Sequence, residues 1–239
     1  MKQFTKRSIF PWLTLFAGGI GLALRTWLLS LGDEQNLLPS NHIAGALTLV
    51  LLAAVIFLCF WQVKKERPSD VNAYRKLFPP SGIAAVGTAI GALGMGISAF
   101  WVEASGVLGI LVILSGLVGA AALIYAAYCR FVGMRPSCYL HVLLAAYLVL
   151  RVLACCRQWG SETQFQMYFF PLLASLFLLI ACYYRAEADA LMGDYRKYLF
   201  FGQAALFCCC LCITGSDWLF YLSGTLWITA DNCVPPRYE

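Results

Sequence analysis

The feature that most constrains this chain is a succession of apolar runs, each long enough to cross a bilayer. Ile9–Leu31, Ile43–Val63, Gly82–Val102, Val107–Tyr128, Tyr139–Cys156, Met167–Tyr184 and Tyr198–Ser216 follow one another across short polar connections. A helix needs about 20 apolar residues to cross a hydrocarbon layer of about 30 Å. An eighth run, Trp218–Ala230, is shorter. As a helix it spans about 20 Å, at about 1.5 Å per residue. It is expected to cross with Ser216 and Cys233 drawn in; a re-entrant half-helix is the alternative. Composition agrees, since 61% of the 239 residues are hydrophobic and 12% charged. Soluble domains carry about 25% charged residues, so this chain has too few charges to cover a water-facing surface. The expected fold class is all-α: a polytopic membrane helix bundle of about eight transmembrane helices, seven clear and the last short.

Lys2, Lys6 and Arg7 precede the first run, as in a signal peptide. That run is too long, and no small-x-small cleavage site ends it. It is read as a retained helix. Short cytoplasmic loops hold the excess of Lys and Arg. Counting alternate ends of the runs puts 14 of the 17 basic residues on one side and leaves Arg25, Arg151 and Arg157 on the other. The acids Asp33, Glu34, Glu103, Glu162 and Asp217 share that second side. Both termini are therefore expected in the cytoplasm, in a plasma (inner) membrane. The net charge of +5 reflects this bias and attraction to anionic headgroups. No nucleic-acid partner is expected.

Arg25 and Arg151 sit near the outer ends of the first and fifth runs, in "LALR" and "LVLR". The next inner loops carry "AYRK", Ala73–Lys76, and "DYRK", Asp194–Lys197. The third run of each half ends near an acid, Glu103 or Asp217, and each fourth run holds "LSG". Order and sidedness agree, although Arg25 to Tyr74 is 49 positions and Arg151 to Tyr195 is 44. These landmarks suggest a 4+4 parallel internal repeat, residues 1–130 and 131–239, within one membrane domain. Parallel repeats related by an axis along the membrane normal occur in some transporters.

A charge inside a span is costly. Arg25 lies about 24 Å along a helix begun at Ile9, at about 1.5 Å per residue. From there its side chain can snorkel to the headgroups. Two other readings compete with snorkelling. Arg25 and Arg151 can pair with Glu103, Asp217 or Glu162, or they can hold an anionic ligand or lipid headgroup, whose geometry the guanidinium fork suits. The candidate ligand or ion-pair site is thus Arg25, Arg151, Glu103 and Asp217. The middles of the spans lack Asp, Glu, Lys and His, which argues against a self-contained ion-coupled carrier.

Small residues recur in the third run at Ala84, Thr88, Ala92 and Gly96, with Gly87 and Gly91 as a G-x-x-x-G pair. Such ridges let helices approach closely in lipid, and this one is expected to pack the third helix on the fourth. Trp12, Trp27, Trp61, Trp101, Trp159 and Trp218 lie near run ends, as an aromatic belt does. "FCCCLC", Phe207–Cys212, holds one C-x-x-C spacing without a second pair. A zinc site needs four convergent ligands, so these cysteines read as small apolar residues, and no metal or cofactor is expected. His42, Ser216 and Asp217 allow a hydrolase to be drawn on the outer face, but Ser-Asp before a helix is equally an N-cap. The loop "KKERPSDVNAYRKLFPPS" is the one sizeable polar segment, and it could dock a membrane or cytoplasmic protein partner.

Three function classes follow. The first is a transport-type or substrate-binding membrane subunit with an anion or headgroup site near Arg25 and Arg151. The second is an accessory, assembly or sensory membrane protein with no substrate. The third is a membrane enzyme acting on lipid. A catalytic role is the least favoured of the three.

Overall fold

A computed structural model describes residues 9–31, 43–65, 78–102, 106–159, 165–192, 194–215 and 217–232. Eight α-helices occupy these residues: α1 Ile9–Ser30, α2 Ile43–Lys65, α3 Gly82–Ser98, α4 Val107–Val132, α5 Cys138–Trp159, α6 Phe165–Asp189, α7 Tyr195–Cys212 and α8 Trp218–Asn232. A 3-10 turn, Ala99–Trp101, continues α3, and the described residues contain no strand. Glu103, Glu162, His42, Ser216, Tyr74 and both chain ends lie outside the described residues. Six helices, α1 to α6, are long and apolar enough to cross a membrane. The chain is an all-helical integral membrane protein. Helices α7 and α8 fall short of that length or apolarity.

Local chemistry sets the helix ends. Ser81 is extended and accepts a hydrogen bond from the Ala84 N–H, which caps α3. Gly133 closes α4 in the left-handed region at φ 80°, where a residue without Cβ carries no steric penalty. The Met134 N–H then reaches the Cys129 carbonyl at 2.8 Å, completing a Schellman turn. Asp194 caps α7 by accepting from the Arg196 N–H at 3.0 Å. The Arg196 guanidinium donates to the same carboxylate at 2.8 Å and holds it below the usual carboxylate range. Pro171 lies inside α6. Its carbonyl accepts from the Ser175 hydroxyl at 2.9 Å and the Tyr221 hydroxyl at 3.4 Å.

Helices α3 to α8 form a closed circuit, each packed on the next, with α8 returning to α3. Helices α1 and α2 pack on each other and against the outside of α7. Helix α7 is therefore covered on nearly every side, and every residue from Gly202 to Cys212 is buried. A stretch that is apolar nearly all round, as Gly202–Cys212 is apart from Gln203, is expected in such a place. Met95, Val112, Leu144, Tyr147, Leu178, Phe220 and Trp227 are all buried inside the circuit. The outside carries apolar side chains such as Phe16, Val50, Phe57, Ile83 and Ile110, a surface matched to lipid. Trp12, Trp27, Trp61, Trp101 and Trp218 are exposed near helix ends.

The glycine stripe corrects one expectation. Gly87, Gly91 and Gly94 face α8 rather than α4, since a Cβ at Gly91 would lie 2.8 Å from the Ser223 carbonyl oxygen. Gly96 alone turns to Ala120 of α4. Successive positions rotate around the helix, so one run of small residues serves two neighbours. The halves 1–130 and 131–239 are not separate bundles, because α4 packs on α5 and α8 on α3 across the boundary. Their packing partners also differ, since α1 and α2 stand outside the circuit that includes α5 and α6.

Candidate functional site

Odd-numbered helices end where even-numbered ones begin, so the bundle has two ends, named here for Arg151 and Arg130. At the Arg151 end, α5 carries Tyr147 and Arg151 one turn apart, both facing α3 and α8. The Tyr147 hydroxyl donates to the Met95 carbonyl at 3.3 Å. Arg151 Nη1 donates to the Ser98 carbonyl at 3.4 Å and to the Tyr147 hydroxyl at 3.2 Å. These carbonyls are the negative end of α3, where a cation is favoured. Arg151 Nη2 lies 3.1 Å from Asp217 Oδ2, and the Phe220 ring lies 3.9 Å from the guanidinium carbon. Arg151 is 1% exposed, which excludes snorkelling.

Arg25 has different surroundings. It shares a face of α1 with Thr14, Ala17, Gly18, Gly21 and Leu28, all buried. That face meets α7, and a Cβ on Gly18 would lie 2.8 Å from Cys210 Cβ. Arg25 itself is 6% exposed, so it does not snorkel either. Its guanidinium sits 5.1 Å from the centroid of Phe170 in α6. Its Nε is buried and has no hydrogen-bond partner. Among the described residues no carboxylate stands within ion-pair distance of it. The four residues singled out from the sequence thus separate. Arg151 and Asp217 are joined, Arg25 stands apart from that pair, and Glu103 lies outside the described residues.

The Arg130 end holds a larger cluster. Arg185 bridges two carboxylates, Asp189 Oδ1 at 3.3 Å and Asp231 Oδ2 at 3.1 Å. Arg130 pairs with Asp231 from the other side. The Tyr198 hydroxyl donates to Asp231 Oδ2 at 2.7 Å. His141 Nδ1 contacts Asp189 Oδ2 at 2.7 Å. Phe78 stacks 3.6 Å from the Arg185 guanidinium carbon, and Trp227 stacks on His141 with centroids 6.3 Å apart. Every ionisable member is buried. The cluster ties the ends of α4, α5, α6, α7 and α8 together.

Sequence reasoning treated Arg130 and Arg185 as inner-loop cations and missed this cluster. Helix α6 runs past Tyr184 to Asp189, which carries Arg185 and Asp189 inward on one face at i,i+4 spacing. The available signal was Asp231, an acid at the end of an apolar run on the side rich in cations. Gln62 of α2 was also passed over; it is buried, with both amide atoms unpartnered. The cysteines of α7 are individually buried. Cys59 of α2 donates to Gln203 of α7 at 3.4 Å.

Comparison with protein families, with curated proteins and with solved structures finds no match.

Proposed function

We propose that this chain is a transport-type or substrate-binding membrane subunit whose anion-binding group is Arg25. The observation that carries the reading is a contrast among four buried arginines. Arg130, Arg151 and Arg185 each have a carboxylate partner, whereas among the described residues Arg25 has a phenyl ring and no carboxylate. A guanidinium does not give up its proton in a protein. Burying it without a counter-charge costs several kcal/mol, about 3–5 when a partner is removed. An anion from outside the chain would offset that cost. Arg151 belongs to this reading as a structural charge, occupied by Asp217.

The finer topology belongs to the same proposal. All eight helices cross, both termini are cytoplasmic and the membrane is the plasma (inner) membrane, on the support of the Lys and Arg count. The parallel duplication rests on its sequence landmarks alone. Native mass spectrometry of gently extracted protein tests the proposal. Wild-type protein is expected to carry an anionic species that Arg25→Gln loses and Asp217→Asn keeps. Identical spectra for wild type and Arg25→Gln would sink it.

A second reading has its own support. The close approaches at Gly91 and Gly116, where a Cβ would meet Ser223 O at 2.8 Å and Ala99 Cβ at 2.5 Å, suit an accessory or assembly protein with no substrate. Identical spectra would move the conclusion there.

A further inference from the structure

The identity of the anion can be argued further, on the reading of Arg25 as an anion-binding group. Helices α1 and α6 both pack on α7, yet they do not pack closely on each other. Arg25 and Phe170 reach across the seam between them. Gly18 and Gly21 bring α1 so near α7 that added Cβ atoms would lie 2.8 Å from Cys210 Cβ and 2.5 Å from Leu211 Cδ2. The seam therefore has α7 as its floor, α1 and α6 as its walls and a guanidinium near one end. Trp27, two residues beyond Arg25, is 49% exposed, and such rings sit at headgroup level. Phe16, Ile20 and Trp27 are exposed on the face of α1 turned away from α7, and Leu15, Leu22 and Leu29, on the flank beside Arg25, are half-buried.

We propose that Arg25 binds the phosphate of an anionic phospholipid, which enters from the lipid side between α1 and α6. The shared chemistry is a phosphate oxyanion, for which the guanidinium fork offers parallel N–H donors. Three arguments select a phospholipid over free phosphate. A phosphodiester carries one negative charge, which one guanidinium neutralises; no second cation accompanies Arg25 among the described residues at this seam. The lipid phosphate already lies near this depth, so little water has to be stripped from it. The rest of the ligand is apolar, like the side chains on both flanks.

The test uses the full chain, stripped of lipid in detergent and placed in nanodiscs of phosphatidylcholine, with or without phosphatidylglycerol. Retained lipid is counted by native mass spectrometry, and unfolding temperature is read in parallel with and without inorganic phosphate. Wild type is expected to retain phosphatidylglycerol and to unfold at a higher temperature with it. Arg25→Gln is expected to retain about tenfold less or lower still, the scale of one charge-assisted contact. Arg157→Gln removes an exposed cation at the same end of the bundle and should retain as much as wild type. Arg25→Met guards against misfolding. It removes an unpaired buried charge, so in phosphatidylcholine alone it should unfold no earlier than wild type, and phosphatidylglycerol should not raise it. If inorganic phosphate stabilises wild type as well as phosphatidylglycerol does, the lipid source is overturned while Arg25 remains an anion site. If Arg157→Gln loses the lipid as Arg25→Gln does, or if no species depends on Arg25, both readings fall.

Discussion

Arg151 and Asp217 meet at 3.1 Å where the end of α5 faces the start of α8, and this contact ties the shortest helix to the closed circuit. Asp217 also accepts the Phe220 N–H at 3.0 Å through its carbonyl, so one residue starts α8 and anchors it. Asp217→Ala should destabilise the protein by about 2–3 kcal/mol. That is below the about 3–5 kcal/mol for a fully buried pair, because the Asp217 side chain keeps 23% of its exposure. Denaturant unfolding in mild detergent measures it. The double variant Arg151→Met, Asp217→Ala should recover part of the loss, since no unpaired charge remains.

The cluster at the opposite end predicts a ranking. Asp231 serves Arg130, Arg185 and Tyr198, and Asp189 pairs with His141 and Arg185 among the described residues. Asp231→Asn removes the carboxylate shared by Arg130 and Arg185 and should cost about 3–5 kcal/mol. Asp189→Asn should cost less, because Arg185 retains Asp231. Unfolding temperatures of the two variants in one detergent check the order, and the reverse order would refute the assignment.

Gly91 and Gly19 should respond oppositely to alanine. A Cβ at Gly91 would press on the backbone of α8, 2.8 Å from Ser223 O and 3.2 Å from Trp227 N. Neither neighbour can turn aside, so Gly91→Ala should cost about 1–3 kcal/mol through overpacking. Nothing lies within 4 Å of a Cβ at Gly19. Gly19→Ala should stabilise by about 0.5–1 kcal/mol through lower backbone entropy in the unfolded chain. Stability of the two single variants, compared with wild type, tests the pair.

The cap of α7 should show in acid. Arg196 lowers the pKa of Asp194 in the folded protein through its side-chain hydrogen bond, so the folded carboxyl protonates at lower pH than the unfolded one. Its contribution is present above the unfolded value and is lost as pH falls through the folded value. Asp194→Asn keeps a capping oxygen but lacks the charge. The stability gap between wild type and Asp194→Asn should therefore be full at neutral pH and should close as the solution is acidified below the carboxylate range. A gap independent of pH would remove the charge from the explanation.

Much of the architecture was readable because the apolar runs are long and their breaks are polar. The run Val107–Tyr128 became Val107–Val132, and Trp218–Ala230 became Trp218–Asn232. Arg25 and Arg151 stood out because a charge in an apolar text is an anomaly of composition. Their different fates were not readable, since pairing depends on which helix end arrives opposite. Arg151 finds the start of α8, and Arg25 finds Phe170. The Arg130 cluster escaped for a related reason. Its charges sit in the last or first turns of five helices, where a linear reading assigns them to loops. The small-residue stripe of α3 was visible, but a stripe does not say which neighbour fills it.

The enclosure of α7 also bears on how the chain is made. A helix with Arg196, Lys197 and Gln203 and no lipid-facing side is a poor candidate for partition into a bilayer by itself. Its wrapping comes from α1 and α2, synthesised long before it, from α6, synthesised just before, and from α8, synthesised just after. The first hairpin must therefore wait in the bilayer, unpartnered, until the last fifth of the chain leaves the ribosome. A nascent chain halted before Tyr195 would hold α1 and α2 with no docking surface, which is the form that membrane quality control recognises. Pulse-chase of a chain ending at Met192 should show rapid turnover relative to full length, and equal lifetimes would mean that the hairpin is stable without α7.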